Sequence, residues 1–247
     1  MSEKRFTKLN QYKIMSAQME NKSGYLPDKP GGKFSRRLFL NYSGITLAGA
    51  GLLVACNDKD GNPMPQTGEI NLGTGDLGIL NYAYALEQLE AAFYIKVAES
   101  TVTGMSAAEM MLLADIRDHE IAHREFFKNA LGTNAIPALT VDFSMVDFTK
   151  RESVLATAKA FEDLGVSAYN GAGKLIKTAD YLVLAGKIVS VEARHAAFIR
   201  DLISNGSFAD ASVVDANGLD KSRKPAEVLS MAAPFIKNKI NFSGLPQ

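Results

Sequence analysis

The sequence is that of an all-α protein: four long helices form a bundle, and a loop-rich C-terminal tail follows. Three observations lead there. Apolar residues recur at three- and four-residue steps through most of the chain beyond residue 75. Start and stop signals cut that stretch into four pieces of about 25 residues, each ~37 Å long at 1.5 Å per residue. The breaks between the pieces are unequal: about five residues, then 17, then about three. Short breaks make antiparallel hairpins. The middle one, Gly132 to Phe148 with Pro137, reaches ~55 Å when extended at ~3.3 Å per residue and can travel the whole bundle. Two antiparallel hairpins joined by a long crossover are therefore expected.

The first helix runs from about Asp76 to Ser100, with Leu80, Ala83, Leu86, Ala91 and Tyr94 in helical register. The second opens on Ser106-Ala107-Ala108-Glu109, a capping box, and stops at Leu131-Gly132. The third opens on a second box, Thr149-Lys150-Arg151-Glu152, and runs to about Lys174. The fourth starts near Thr178 and ends at Asn205-Gly206. A short helix is expected from Pro225 to Ala233, with proline in its first turn. Leu139 to Phe143 alternates like a strand but stands alone, so no strand is expected.

Ahead of the bundle lies a segment of different character. The chain has 27 basic and 27 acidic residues, but residues 1–56 carry an excess of six basic and the rest an excess of six acidic. A net-acidic body without a basic cluster excludes nucleic acid as a partner. Ser35-Arg36-Arg37-Leu38-Phe39-Leu40 precedes an apolar run from Ile45 to Ala55, too short to span a bilayer and suited to a signal-peptide core. The paired Arg36 and Arg37 resemble a twin-arginine export signal, and Leu53-Val54-Ala55-Cys56 resembles a lipobox with Cys56 as the lipidated residue. The expected organisation is a signal region over 1–55, a linker over 56–75, the bundle over 76–205 and the tail over 206–247. Such a protein is held by a lipid anchor on the outer side of the cytoplasmic membrane or in the outer membrane. The lone cysteine excludes a disulfide framework and multi-cysteine metal sites.

Only three histidines occur, and two stand three residues after a glutamate: Glu120-Ile121-Ala122-His123 in the second helix and Glu192-Ala193-Arg194-His195 in the fourth. Positions i and i+3 share a helix face, so each pair can grip one centre. The third helix offers Glu162, and the first offers Glu87 or Glu90. An internal echo favours Glu87: Tyr94 follows it by seven residues, as Tyr169 follows Glu162, whereas Glu90 corresponds to Gly165. Glu87, Glu120, Glu162 and Glu192 all fall near mid-helix, so they meet at one level. Four buried carboxylates repel one another, and two divalent cations remove that penalty. Carboxylates with neutral imidazole suit iron or manganese, and four Glu with two His leave positions open for a small oxidant. Glu90 is expected beside the ligands or in place of Glu87, His119 outside them or in a structural role, and Tyr94 and Tyr169 either pack in the core or bond the ligands. His119 and His123 form an i, i+4 pair that lacks a third zinc ligand. Gly171-Ala172-Gly173 follows no strand and makes no phosphate loop.

The pattern Glu, Glu-x-x-His, Glu, Glu-x-x-His on four helices resembles the ferritin-like superfamily. The wording from Leu86 to Tyr94 and from Val191 to Ala197 is similar to its branch related to plant desiccation-associated proteins. That resemblance implies Glu87, Glu120, His123, Glu162, Glu192 and His195 as metal ligands, but it brings no defined reaction with it.

The resulting expectation is an exported, lipid-anchored bundle whose two iron or manganese ions act on Fe(II), O2 or peroxide, with an unidentified redox partner and room for a homodimer. The alternative is a non-enzymatic envelope lipoprotein for stress protection or partner binding, with structural metal or none. A closed storage cage fits poorly with a tethered N-terminus and a 40-residue tail.

Overall fold

The computed structural model describes residues 68–246. The leader, with Arg36, Arg37 and Cys56, lies outside the described residues. Four long helices carry the structure: α1 (Gly75–Ala98), α2 (Ala107–Leu131), α3 (Arg151–Gly173) and α4 (Ala179–Ile203), with a short α5 (Pro225–Ala232) in the tail. None of the helices among the described residues is long and apolar enough to cross a membrane.

Side-chain bonds at the two ends fix the helix directions. At one end Arg151, opening α3, bonds Glu109 in the first turn of α2 at 2.6 Å and the carbonyl of Leu202 near the end of α4 at 2.7 Å. At the other, Asp76 in the first turn of α1 accepts from the backbone N–H of Lys177 and Thr178, where α4 begins. So α2 and α3 start together, and α1 and α4 start at the opposite end. The connection after α2 must therefore run the length of the bundle, the crossover expected from its extended reach.

Helix α1 is the central rod. Nearly every residue from Gly78 to Val97 is buried, and a helix apolar all round must be covered on all sides. Its polar exceptions hold that cover in place. The Asn81 amide donates to the carbonyls of Leu72 and Asn134 and accepts from Ile136 N–H, and the Gln88 carbonyl oxygen accepts from Leu139 N–H at 2.8 Å. A helix thus satisfies the backbone of an irregular segment that would otherwise be buried without partners. The crossover also brings Phe143 and Phe148 onto Phe93 of α1, while Phe235 of the tail meets Phe161 of α3 edge-on at 4.8 Å.

Two local expectations need correcting. The second capping box does not form: α3 begins after Lys150, with no side-chain cap. The Thr149 hydroxyl donates to Asp147 instead, at 2.6 Å, while the Thr149 carbonyl accepts from Thr103 N–H. And strand pairing exists, though minimal. β1 (Ile70–Asn71) lies parallel to β2 (Ile240–Asn241), tying the entry of α1 to the tail. Two residues per strand are too few to leave an alternating pattern. The Leu139–Phe143 run contributes only an isolated bridge, Val141 with Ile236.

The tail is fastened across α3 and α4. Arg200 of α4, 2% exposed, pairs with Asp163 of α3 at 2.8 Å and with Asp210 of the tail at 3.0 Å. Further along, Arg223 N–H donates to the carbonyl of Ser167, and the chain then lies directly on Gly171. A Cβ at Gly171 would fall inside the carbonyl group of Arg223. The variant Gly171→Ala is therefore expected to lose about 1–3 kcal/mol in urea unfolding, as overpacking does, and to expose the tail to protease. Unchanged stability would mean that the tail does not cross α3 here.

Candidate metal centre

Mid-helix, the four rods turn their acids inward. Glu87, Glu120, Glu162 and Glu192 are each 0% exposed, and His195 is 5% exposed. Two overlapping groups form: Glu87, Glu120, Glu192 and His123 in one, Glu120, Glu162, Glu192 and His195 in the other. Glu120 and Glu192 belong to both, whereas Glu87 and Glu162 belong to one each. Each histidine leans toward the glutamate of the opposite motif: His123 Nδ1 lies 2.8 Å from Glu192 Oε1, and His195 Nδ1 lies 2.9 Å from Glu120 Oε1. The helical i, i+3 spacing places each pair on one face, and the crossing of α2 and α4 brings the faces together.

The tyrosines exchange partners between hairpins. Tyr94 of α1 donates to Glu162 of α3 at 2.5 Å, and Tyr169 of α3 donates to Glu87 of α1. Within one helix each Tyr shares its glutamate's face, but side chains lean toward the helix N-terminus and reach across to the antiparallel neighbour. Burial pushes both phenols well above their ordinary range, and the facing carboxylates push them further, so both remain donors. Glu90 is buried but lies outside both donor groups. Its Oε1 would be 3.0 Å from a Cβ on Gly165, so the missing side chain at the echo position makes room for it. His119 is exposed, and its Nδ1 is 2.9 Å from His195 Nε2.

Charge and lone pairs test whether cations suit this cluster. Among the described residues no lysine or arginine pairs with any of the five buried glutamates; only His123 and His195 face the four central ones. Burial raises Glu87 and Glu90 well above the carboxylate range, and it carries Glu162 up to about 8 despite partial relief from His195. Burial would lower both histidines, but the surrounding carboxylates overturn it and lift each to about 12. Protons alone thus have to hold the cluster together. The polar atoms are nonetheless unsatisfied: Glu87 Oε2, Glu162 Oε2, both oxygens of Glu120 and Glu192, and both Nδ1 atoms lack a hydrogen-bond partner. His123 Nδ1 and Glu192 Oε1 are close enough to bond but are not aligned for it. Their lone pairs converge on shared space instead. Ligands about 2.1 Å from an octahedral ion sit about 3 Å from one another, and the contacts of 2.8–3.7 Å among these donors are of that size. The donor set fits metal ions.

Four antiparallel and parallel rods around a buried Glu/His cluster compatible with metal define a class of helical bundle. Residues 75–205 match the model of the ferritin-like domain, and the chain belongs to that family. Comparison with the curated proteins yields no match.

Sequence reasoning reached every member of the two donor groups. It missed Asn81, Gln88 and Arg200, which hold the crossover and tail around the site. Asn81 and Gln88 interrupt an apolar stretch, and that was the one signal available for them.

Proposed function

We propose that the cluster is a carboxylate-bridged two-metal centre, holding iron or manganese, that carries out redox chemistry on Fe(II), O2 or peroxide. The observation that supports it best is the sharing of Glu120 and Glu192 between two donor groups whose buried lone pairs have no other partner. In this reading Glu120 and Glu192, which belong to both donor groups, would serve both ions, while Glu87 with His123 would complete one site and Glu162 with His195 the other. Iron or manganese in such a set supplies one-electron redox changes and open positions for a small oxidant. Tyr94 and Tyr169 would orient Glu162 and Glu87 through the hydrogen bonds they donate to them. The phenylalanines around Phe93 and Phe161 keep water from that side, while His123, 13% exposed, marks the solvent side.

The wording of α1 and α4 supports a place in the desiccation-related branch. Arg36-Arg37 and the lipobox ending at Cys56 support export by the twin-arginine route and attachment to the envelope by lipid. The test is direct. The purified full chain should contain about two iron or manganese ions, and the reduced protein should consume O2 or peroxide in proportion to them. Fewer than one metal per chain would overturn the centre. Two metals that never react with either oxidant would leave a structural role in an envelope lipoprotein.

A further inference from the structure

One contact is left over from the two donor groups. His119, on the exposed side of α2, meets His195 with Nδ1 2.9 Å from Nε2. The rings are 9° from parallel, with centroids 5.2 Å apart. Rings lying face to face cannot bring their atoms closer than about 3.5 Å. The contact therefore runs in the ring planes, edge to edge, as an N–H···N hydrogen bond. In such a bond one nitrogen donates and the other accepts.

Which nitrogen donates is decided on the other side of His195. Its Nδ1 faces Glu120 Oε1 at 2.9 Å and Glu162 Oε2 at 3.4 Å. To offer a cation its Nδ1 lone pair, the neutral ring must carry its proton on Nε2, and that proton then points at His119. His119 accepts it through Nδ1 and turns its own Nε2–H to solvent. His123 differs. Its Nδ1 faces Glu192, Glu87 and Glu120, its side chain is more exposed than that of His195, and its Nε2 has no hydrogen-bonded partner among the described residues. A hydrogen-bonded partner fixes the tautomer and orientation of a ligating imidazole and raises its basicity.

We propose, on the footing of the two-metal reading, that His119 is a positioning residue locking His195 in its Nε2–H tautomer, so that the two halves of the centre are unequal. The half built from Glu162 and His195, with the shared Glu120 and Glu192, takes its cation first and holds it more tightly. The half with Glu87 and His123 fills second. What matters at position 119 is a hydrogen-bond acceptor; charge and bulk do not substitute for it.

Calorimetric titration of the chelator-stripped full chain with Mn(II) tests this. The wild type is expected to show two unequal steps. His119→Leu and His119→Lys offer no acceptor; each should weaken the tighter step roughly 10–100-fold and leave the weaker step within about threefold. His119→Gln, whose side-chain oxygen can accept, should keep most of the wild-type affinity. A melt followed by circular dichroism confirms that each variant is folded, as expected for an exposed position. Equal weakening of both steps, a Gln variant as weak as the Leu variant, or no change in any variant would overturn the role of His119 alone. Failure of the wild type to bind Mn(II) at all would overturn the two-metal centre together with it.

Discussion

Replacing both Glu120 and Glu192 by glutamine is expected to abolish metal binding while leaving the protein folded. Each of these residues serves both donor groups, so no half of the centre survives the change. Glutamine keeps the volume, so no cavity opens, and an amide oxygen is a far weaker cation ligand than a carboxylate. A glutamine N–H can also donate to the lone pair of a neutral His123 or His195, which a carboxylate cannot. Metal analysis should fall from about two ions per chain to near zero, while circular dichroism shows the helices intact. Retention of both metals would place them elsewhere.

How much of this was open to sequence reasoning depends on the range of the interactions. The Glu-x-x-His pairs are local: three residues on a helix fix their common face wherever the helix sits. The crossover was legible too, because chain length alone limits where the second hairpin can begin. Contacts set by the register between helices were not. Nothing in the sequence says that Tyr94 bonds Glu162 rather than serving Glu87, on its own helix, or that His119 lies in line with His195 instead of facing water. The same holds for Arg200, which reads as an ordinary last-turn cation of α4 yet is 2% exposed between Asp163 and Asp210. Capping at Thr149 failed because its hydroxyl turns back to Asp147, while its carbonyl is held by Thr103 N–H from across the chain. Short-range chemistry shows in the chain; long-range satisfaction of polar groups has to be seen in three dimensions.

Metal-free and metal-loaded protein are expected to respond to pH in opposite directions. Without metal, Glu87 and Glu90 are held well above the ordinary carboxylate value of 4.5 by burial and by neighbouring carboxylates, and Glu162 reaches about 8. A group raised on folding contributes its full stability below its unfolded value and loses it as pH climbs through its folded value. These three therefore weaken the fold from about pH 5 upward. His123 and His195, lifted from 6.5 to about 12 by carboxylates that outweigh burial, have the same sign: their contribution is complete below 6.5 and drains away toward 12. Glu120, which His123 and His195 hold at about 2 against the effect of burial, acts only at the acid end, where its contribution disappears as pH falls from 4.5 toward 2. Metal-free stability should thus peak near pH 5–6 and decline steadily into the alkaline range. Metal loading requires ionised carboxylates and free imidazole lone pairs, so it releases protons and strengthens as pH rises. Melting the chelator-stripped and Mn(II)-loaded proteins between about pH 5.5 and pH 8.5 should give a temperature gap that widens steadily. A gap independent of pH, or a metal-free protein that grows more stable toward pH 8.5, would show that cations and protons do not compete for the same buried acids.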